Sequence, residues 1–350
     1  MNINNSNIIE HKINNLNART CNDEYIVIIG ASNSLMSQGW AYFFTKKIAL
    51  YQVINLSLGA TSSSYIALIF LIHRKLLDNA KYIIVEPFVN DVSFVGNKEL
   101  TKAALLTCID YYYNFDATIS KKLIVLLLPT QKRIHGIFSN DIYKAHLYYA
   151  AQSNVTILDC HPYFESLDDI QIKSAFKDPA HLNCKFSELI SNWIIKFIEN
   201  WNDEDRTSNL KCKSKSRMFY VPPPSSTIRI RKSTSLFSCD IVELKDKLVV
   251  EVPFDHSLIG ILHWSDMNEN LFKISSCGQL AHGLLRSKYL KLTSLPFDVN
   301  GSFIIENESD HVYGIAGFLF SDNIITLDKD FDKKFLNSIH NDKMYFPLHL

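Results

Sequence analysis

The sequence predicts an α/β protein, with a three-layer α/β/α domain built on a parallel sheet of about five strands and a C-terminal, mostly-β domain. Short runs rich in β-branched residues recur through the first half of the chain, and each is followed by a stretch long enough for a helix. Such alternation is typical of parallel strands joined by helical crossovers. Beyond a proline-rich segment at 221–226, apolar runs are separated by short turns, which indicates a mainly antiparallel region.

The predicted parallel strands are mostly apolar, as expected for strands that helices cover on both faces. They are Tyr25–Ile29, Gln52–Leu56, Tyr82–Val85, Leu123–Leu128 and Val155–Leu158. The intervening segments predict the covering helices, at Trp40–Leu50, Ser64–Leu77, Lys98–Tyr113, Asp141–Ala151 and Phe186–Trp201.

Composition divides the chain into four segments. Residues 1–23 form a polar, asparagine-rich N-terminal extension, and residues 24–201 form the α/β domain. A polar, proline-rich linker is predicted at 202–225, because consecutive prolines continue neither a helix nor a central strand. A β-rich accessory domain is predicted at 226–350.

Charge and composition argue against several classes of function. Lys plus Arg and Asp plus Glu are equal at 36 each, so net charge gives no basis for binding nucleic acid or an anionic membrane. The seven cysteines include no Cys-x-x-Cys pair, so no metal site is expected. No run approaches the roughly 20 apolar residues that span a bilayer. Since a secretion signal is also lacking, a cytoplasmic location is predicted, while the oligomeric state is left open.

Four short motifs stand after predicted strands or before the last predicted helix. The segment Gly30–Ser34 (GASNS) places Ser32 at the carboxyl end of a parallel strand, where the sites of open α/β sheets lie. Asn55–Ala60 (NLSLGA) follows the second strand, and Phe88–Asp91 (FVND) follows the third. Asp178–His181 (DPAH) immediately precedes the last helix.

Each motif alone also has an ordinary explanation. Gly30–Ser34 suits a helix-entry turn, while a dinucleotide-binding loop is disfavoured because it requires further glycines. A single Asp-x-x-His is common by chance. Asp91 is interpreted as a loop-capping residue, and the adjacent Cys160 and His161 as a surface or edge pair.

In this order, over roughly residues 24–200, the motifs resemble those of the SGNH (or GDSL) hydrolase superfamily. The resemblance implies a flavodoxin-like fold and a catalytic triad of Ser32, Asp178 and His181. It also implies an oxyanion hole made of the backbone N–H groups of Ser32 and Gly59 and the side-chain amide of Asn90.

Two positions depart from the family pattern: Ala31 replaces an aspartate and Phe88 replaces a glycine. The aspartate neither attacks nor takes the proton of the serine, so the triad scheme tolerates Ala31. Phe88 adds bulk beside the oxyanion donor, and we expect it to narrow the acyl pocket and to favour a small acyl group such as acetyl.

The predicted chemistry is acyl-ester hydrolysis or transfer through an acyl-enzyme, since a serine hydroxyl becomes a good nucleophile only beside a base such as histidine. The expected substrate is an O-acetylated sugar or glycan, which a β-rich accessory domain also suits. Hydrolysis requires no cofactor. Alternatives are a cytoplasmic polysaccharide O-acetyltransferase that uses acetyl-CoA, and a non-catalytic glycan-binding protein on a degenerate hydrolase scaffold.

Overall fold

The computed structural model of the chain describes residues 9–11, 24–95, 99–201, 214–224, 227–234, 237–252, 255–267, 269–286, 289–326 and 331. The strands within these ranges are β1 Ile9–His11, β2 Tyr25–Gly30, β3 Gln52–Asn55, β4 Tyr82–Glu86, β5 Leu123–Leu127, β6 Thr156–Asp159, β7 Phe176–Asp178, β8 His181–Leu182, β9 Met218–Val221, β10 Arg229–Ser233, β11 Phe237–Leu244, β12 Lys247–Glu251, β13 His256–Ser265, β14 Glu269–Ser276, β15 Gln279–Arg286, β16 Tyr289–Val299, β17 Ser302–Asn307 and β18 Tyr313–Ser321.

The helices in the described ranges lie almost entirely before residue 200. They are α1 Ser32–Leu35, α2 Trp40–Lys47, α3 Ser63–Ile72, α4 Arg74–Asn79, α5 Phe88–Val95, α6 Glu99–Tyr113, α7 Ala117–Ser120, α8 Asp141–Ser153, α9 His161–Glu165, α10 Asp169–Ala175 and α11 Cys184–Glu199. Short 3₁₀ turns occupy Gln131–Arg133 and Ile137–Ser139.

The first part of the chain is a three-layer α/β/α domain around a five-stranded parallel sheet, as the sequence predicts. The strand order is β3-β2-β4-β5-β6, and every pairing is parallel. Strand β2 illustrates why both faces are covered: Val27 and Ile29 pack into one core, while Ile26 and Ile28 pack into the core on the other face. The carboxyl ends of the strands therefore share one edge of the sheet, where the polar motifs begin.

The β-rich part consists of two antiparallel sheets. One has seven strands, with β1-β11-β18-β13-β16 in order and with β10 and β9 paired to β11 and β18. The other has four strands in the order β12-β17-β14-β15. Strand β12 alternates exposed and buried residues, because one face of the four-stranded sheet meets a core and the other meets solvent.

The seven-stranded sheet is buried on both faces at its centre. Along β13, Leu258 and Ile261 pack towards the four-stranded sheet, whereas Ile259 and Leu262 join the core that contains α3 and α6. The side chains of α3 are buried from Ser63 to Phe70. Helix α3 is therefore apolar on nearly all sides because it lies between two sheets.

The β-rich part and the α/β domain share this core, and hydrogen bonds also join them. The Thr107 hydroxyl accepts the backbone N–H of Ile325 at 2.9 Å. Strand β1, from the predicted N-terminal extension, pairs with β11. Strand β9 lies within the range predicted as linker and pairs with β18. The four-segment division itself stays a prediction.

In the described part of the chain, no helix is long and apolar enough to cross a membrane. The same residues contain no group of three or more His, Cys, Asp or Glu side chains placed to hold a metal ion.

Candidate active site

Ser32 begins the short helix α1, directly after the turn that leaves β2. Two hydrogen bonds from the segment at the end of β3 fix the turn. The Ser57 hydroxyl accepts the N–H of Gly30 at 2.9 Å, and the Asn55 amide donates to the carbonyl of Ser34 at 2.8 Å. A Cβ on Gly30 would collide with the Ser34 side chain, so the close approach requires glycine here. Ser32 thus lies at the carboxyl edge of the parallel sheet.

The three residues of the predicted triad meet in the structure. The Ser32 Oγ lies 2.7 Å from Nε2 of His181, although the two residues are 149 positions apart. Both carboxylate oxygens of Asp178 lie 2.8 Å from Nδ1 of the same ring. The two-stranded hairpin of β7 and β8 pairs Asp178 with His181, which places the carboxylate against the imidazole.

Asp178 is held as an anion by its local contacts. Burial raises the pKa of its carboxyl, but hydrogen bonds from the backbone N–H of Ala180 and from the His181 ring outweigh this effect, and the pKa is lower than usual. The side chains of Asp178 and His181 are 43% and 24% exposed. The pair is consequently partly open to solvent.

Asn33 connects the serine turn to the loop that carries the histidine. Its amide donates to the carbonyl of Ala180 at 3.2 Å, and its Oδ1 accepts the N–H of Leu182 at 3.4 Å. These bonds flank His181 on both sides in sequence. The motif includes Asn33, but its sequence context gives no indication of this bridging role.

Asn90 lies in the first turn of α5, at the same sheet edge. Its Nδ2 is buried, and it has no hydrogen-bond partner among the described residues. Such a donor is uncommon in a folded protein, because an unpaired buried N–H carries a desolvation cost. The amide is therefore available to an oxygen atom that the described residues do not provide.

Asp91 is fully buried in α5, and its carboxylate caps the end of the loop that leads into α3. Its carboxylate accepts the N–H and the hydroxyl of Ser63 at 2.7 and 2.5 Å, at the start of α3. His146 Nε2 lies 3.3 Å from the same carboxylate. Asp91 therefore fixes the helix that carries Asn90 relative to the helix that follows Gly59.

Gly59 lies in the loop between β3 and α3. A Cβ at this position would meet only Leu35 Cδ2, at 3.8 Å. The residue with left-handed backbone is its neighbour Ala60, with φ of 55°. Glycine is thus not required at position 59 by its surroundings, and the strained conformation belongs to Ala60.

Glu86 is a buried carboxyl group beneath the serine turn, and the sequence interpretation missed it. It ends β4 and is 1% exposed. Its Oε2 accepts the N–H of Ala31 at 3.3 Å and the hydroxyl of Ser34 at 3.0 Å. Burial raises its pKa to about 8, against the lowering effect of these two hydrogen bonds. The sequence feature that could have indicated this residue is a glutamate at the end of an otherwise apolar strand, YIIVE.

Phe88 does not narrow the site in the way the sequence suggested. Its ring is 1% exposed and packs against Tyr143, His146 and His161, with ring centroids 5.0 to 5.9 Å apart. The ring belongs to the core beneath α8, because the backbone of α5 directs it inward. It therefore gives no support for a small acyl pocket.

Cys160 and His161 are both fully buried, so a surface position is wrong, although the pair follows β6, an edge strand of the parallel sheet. His161 Nδ1 lies 2.8 Å from Oδ1 of Asp159, and the Tyr143 hydroxyl donates to the same carboxylate. These polar side chains therefore bond to one another inside the domain.

No protein-family model matches the chain, and no curated protein is similar to it in sequence. Solved structures that match include a lipase/acylhydrolase from Enterococcus faecalis, with 15% identity, a TM-score of 0.40, and coverage of 53% of this chain and 98% of that one. An esterase from Pseudoalteromonas sp. has 16% identity and a TM-score of 0.39, with coverage of 51% and 98%. An acetylxylan esterase from Geobacillus stearothermophilus has 12% identity and a TM-score of 0.40, with coverage of 52% and 96%.

Proposed function

We propose that the chain is a serine-dependent enzyme of acyl-ester chemistry, a hydrolase or an acyltransferase, that acts through an acyl-enzyme on Ser32. The observation that carries the proposal is the 2.7 Å contact between Ser32 Oγ and His181 Nε2, with Asp178 on the opposite ring nitrogen. A serine hydroxyl needs a base within this distance, and the base needs a group that orients it.

The first half-reaction follows from these positions. As Ser32 Oγ attacks the ester carbonyl carbon, Nε2 of His181 takes the hydroxyl proton, and the Asp178 carboxylate stabilises the resulting imidazolium. The imidazolium then protonates the leaving alcohol as the carbon–oxygen bond of the ester breaks. The acyl group remains on Ser32 until water or an acceptor hydroxyl attacks it, with His181 again as the base.

The proposed oxyanion hole consists of the Asn90 amide and the backbone N–H groups of Ser32 and Gly59. The buried and unpaired Nδ2 of Asn90 supports this assignment, since the developing oxyanion would be its missing acceptor. Asp91 supports it indirectly, because its contacts to Ser63 hold together the two segments that carry Asn90 and Gly59.

The proposed substrate is an O-acetyl group on a sugar or glycan. The side chain of Leu35 lies beside Gly59, so it would border the proposed oxyanion hole. Transfer from acetyl-CoA to a sugar hydroxyl is the alternative, and it uses the same acyl-enzyme. A glycan-binding protein without activity is the alternative of another class, and the hydrogen-bonded triad geometry argues against it.

The test is covalent labelling of Ser32. Wild type should react with a fluorophosphonate probe and hydrolyse p-nitrophenyl acetate, and Ser32→Ala should do neither. Ser37→Ala is the matched control, because Ser37 is an exposed serine of the same segment. Absence of labelling in the folded wild type would refute the proposed function and favour the non-catalytic alternative.

A second measurement separates the substrate alternatives. Rates with p-nitrophenyl esters of increasing acyl length should fall beyond acetyl if the acyl space is small. Incubation with acetyl-CoA, with and without sugar acceptors, distinguishes transfer from hydrolysis by whether the acetyl group appears on the sugar or as free acetate.

A further inference from the structure

A run of five consecutive hydroxyl-bearing residues follows the Gly59 loop, and the triad scheme uses none of them. The run is Thr61–Tyr65 (TSSSY), and every one of its side chains is at most 3% exposed. A buried hydroxyl gives up its hydrogen bonds to water, which is costly unless the protein supplies a partner. The partners of these hydroxyl groups therefore show what the run holds in place.

Two of the hydroxyl groups close the loop on itself. Thr61 donates to the carbonyl of Leu58 at 2.6 Å, and Tyr65 donates to the carbonyl of Leu56 at 2.9 Å. Both bonds span the glycine proposed as an oxyanion donor and its neighbour Ala60, which has a left-handed φ of 55°. A strained residue of this kind persists only where its surroundings determine the backbone closely.

Ser63 joins this loop to the helix that carries Asn90. Its backbone N–H and its hydroxyl donate to the two carboxylate oxygens of Asp91, at 2.7 and 2.5 Å. The Tyr112 hydroxyl of α6 lies 3.3 Å from the same Ser63 oxygen. Asp91 directly follows Asn90 in α5. One pair of side chains therefore connects the two segments that carry Gly59 and Asn90.

Ser64 extends the contact to the β-rich part. Its Oγ lies 3.2 Å from Oγ of Ser294 on β16 and 2.8 Å from Oγ of Ser62. The start of α3 is thus bound by α5 through Ser63 and by β16 through Ser64. A shift of this helix start relative to α5 would break the bonds between Ser63 and Asp91.

We propose that Ser63 is a positioning residue: by binding Asp91 with both its N–H and its hydroxyl, it keeps the backbone N–H of Gly59 and the side-chain amide of Asn90 directed at the same substrate oxygen. The inference rests on the proposed function of Ser32 and deepens it by assigning a role to the hydroxyl run. Oxyanion donors act most strongly when they are fixed before the charge develops, because no reorganisation is then needed during the reaction.

The experiment measures kcat and KM for p-nitrophenyl acetate, and the melting temperature, in full-length wild type, Ser63→Ala and Ser63→Cys. In Ser63→Ala, kcat should fall by about tenfold, less than the roughly 10²–10³ that follows outright loss of an oxyanion donor. KM should change by less than about twofold, because no substrate contact is removed. Cysteine is close to serine in size but a weaker donor, so kcat of Ser63→Cys should lie between those of wild type and Ser63→Ala.

Ser153→Ala is the matched control for a purely structural role. The Ser153 side chain is fully buried, and its hydroxyl donates to Oδ1 of Asn114 at 2.5 Å, the same distance as in the bond from Ser63 to Asp91. It ends α8 shortly before β6, at the edge of the sheet opposite to Ser32. Its removal should lower the melting temperature as much as Ser63→Ala does but leave kcat within about twofold of wild type.

A double-mutant cycle with Asn90→Ala tests whether Ser63 acts through the oxyanion donors. If it does, adding Ser63→Ala to Asn90→Ala should lower kcat by less than about threefold, because the two changes affect one group of donors. Full additivity, or a kcat in Ser63→Ala equal to that of Ser153→Ala, overturns the inference while leaving Ser32 as nucleophile. Wild type that neither hydrolyses esters nor labels at Ser32 overturns both proposals.

Discussion

The parallel sheet and the β-rich part bury the side chains of their strands in different ways. In β4 and β5 every residue is buried, because helices cover both faces of the sheet. In β12 burial alternates, because only one face meets a core. Strand β18 belongs to the β-rich part but is buried along its whole length. Uniform burial of an antiparallel strand therefore marks the place where the β-rich part packs against another layer.

The polar residues of the two parts also differ in placement. In the α/β domain, the residues of the candidate site follow the strands at one edge, where loops from β2, β3 and β4 converge. In the β-rich part, buried polar groups such as His263 lie within strands and pair with neighbouring strands. The first arrangement leaves polar groups such as Asp178 and His181 partly open to solvent, whereas the second places them between strands.

The largest expected effect comes from separating the two parts. A fragment of residues 24–201 would expose the faces of α3 and α6 that contact β16 and β9 in the full chain. We expect it to aggregate, or to bind a hydrophobic dye and unfold without a cooperative transition, because large exposed apolar patches are unfavourable. Differential scanning fluorimetry and gel filtration of the fragment against the full chain give the measurement. A monomeric fragment with a sharp transition would mean that the α/β domain is independent.

The next prediction concerns Asn90. Asn90→Ala should lower kcat by about 10²–10³, the usual effect of losing one oxyanion donor, with KM and melting temperature nearly unchanged. Stability should hold because the Asn90 Nδ2 makes no hydrogen bond to the described residues. Asn33→Ala is the informative comparison, since Asn33 bridges two loops and its loss should lower both stability and turnover. Unchanged kcat in Asn90→Ala would refute the oxyanion assignment even if Ser32 proves essential.

The sequence predicted the strands of the parallel sheet closely, because apolar runs with flanking turns are local features. Strand β2 spans Tyr25–Gly30 against an expected Tyr25–Ile29, and β6 is displaced by one residue. The order of the motifs also brought Ser32, Asp178 and His181 together as candidates. Glu86 was missed because its contact with Ala31 depends on the pairing of β2 with β4, which local sequence patterns do not predict.

The packing of the β-rich part against the α/β domain could not be predicted from local sequence patterns either. The segment Ser64–Leu77 predicted a helix that covers the parallel sheet, but the sequence does not show that a second sheet covers the other side of α3. The inward direction of Phe88 was also missed, because the helical conformation of α5 and the aromatic side chains on α8 determine it.

A smaller effect is expected from His263, a buried residue of the β-rich part, through the dependence of folding stability on pH. Burial, with the positive charge of Lys291, lowers the pKa of His263 to about 3. The folded chain therefore keeps the imidazole neutral while the unfolded chain binds a proton below about pH 6.5, so its contribution to stability is present above pH 6.5 and is lost as the pH falls towards 3. The loss should reach about 2 kcal/mol by pH 5.

Melting temperatures between pH 7.5 and 5 measure this loss, and His263→Gln should reduce the dependence on pH. Glu86 acts in the opposite direction: its pKa is raised from 4.5 to about 8, so its contribution is complete below 4.5 and declines as the pH rises towards 8. Glu86→Gln should accordingly remove the decline in stability between about pH 4.5 and 8, and above pH 6.5 that decline is separate from the contribution of His263.

The smallest expected effects are in the loop after β3. Ala60 holds a left-handed φ of 55°, which costs an L-residue about 1 kcal/mol. Ala60→Gly removes that strain but gives the unfolded chain more freedom, so the two effects largely cancel and the net change should stay under about 1 kcal/mol.

Gly59→Ala should instead stabilise the fold by about 0.4–1 kcal/mol, because a Cβ meets only Leu35 and φ lies outside the left-handed region. Urea unfolding of both variants measures the difference, and a destabilised Gly59→Ala would show that this loop needs the freedom of glycine at position 59.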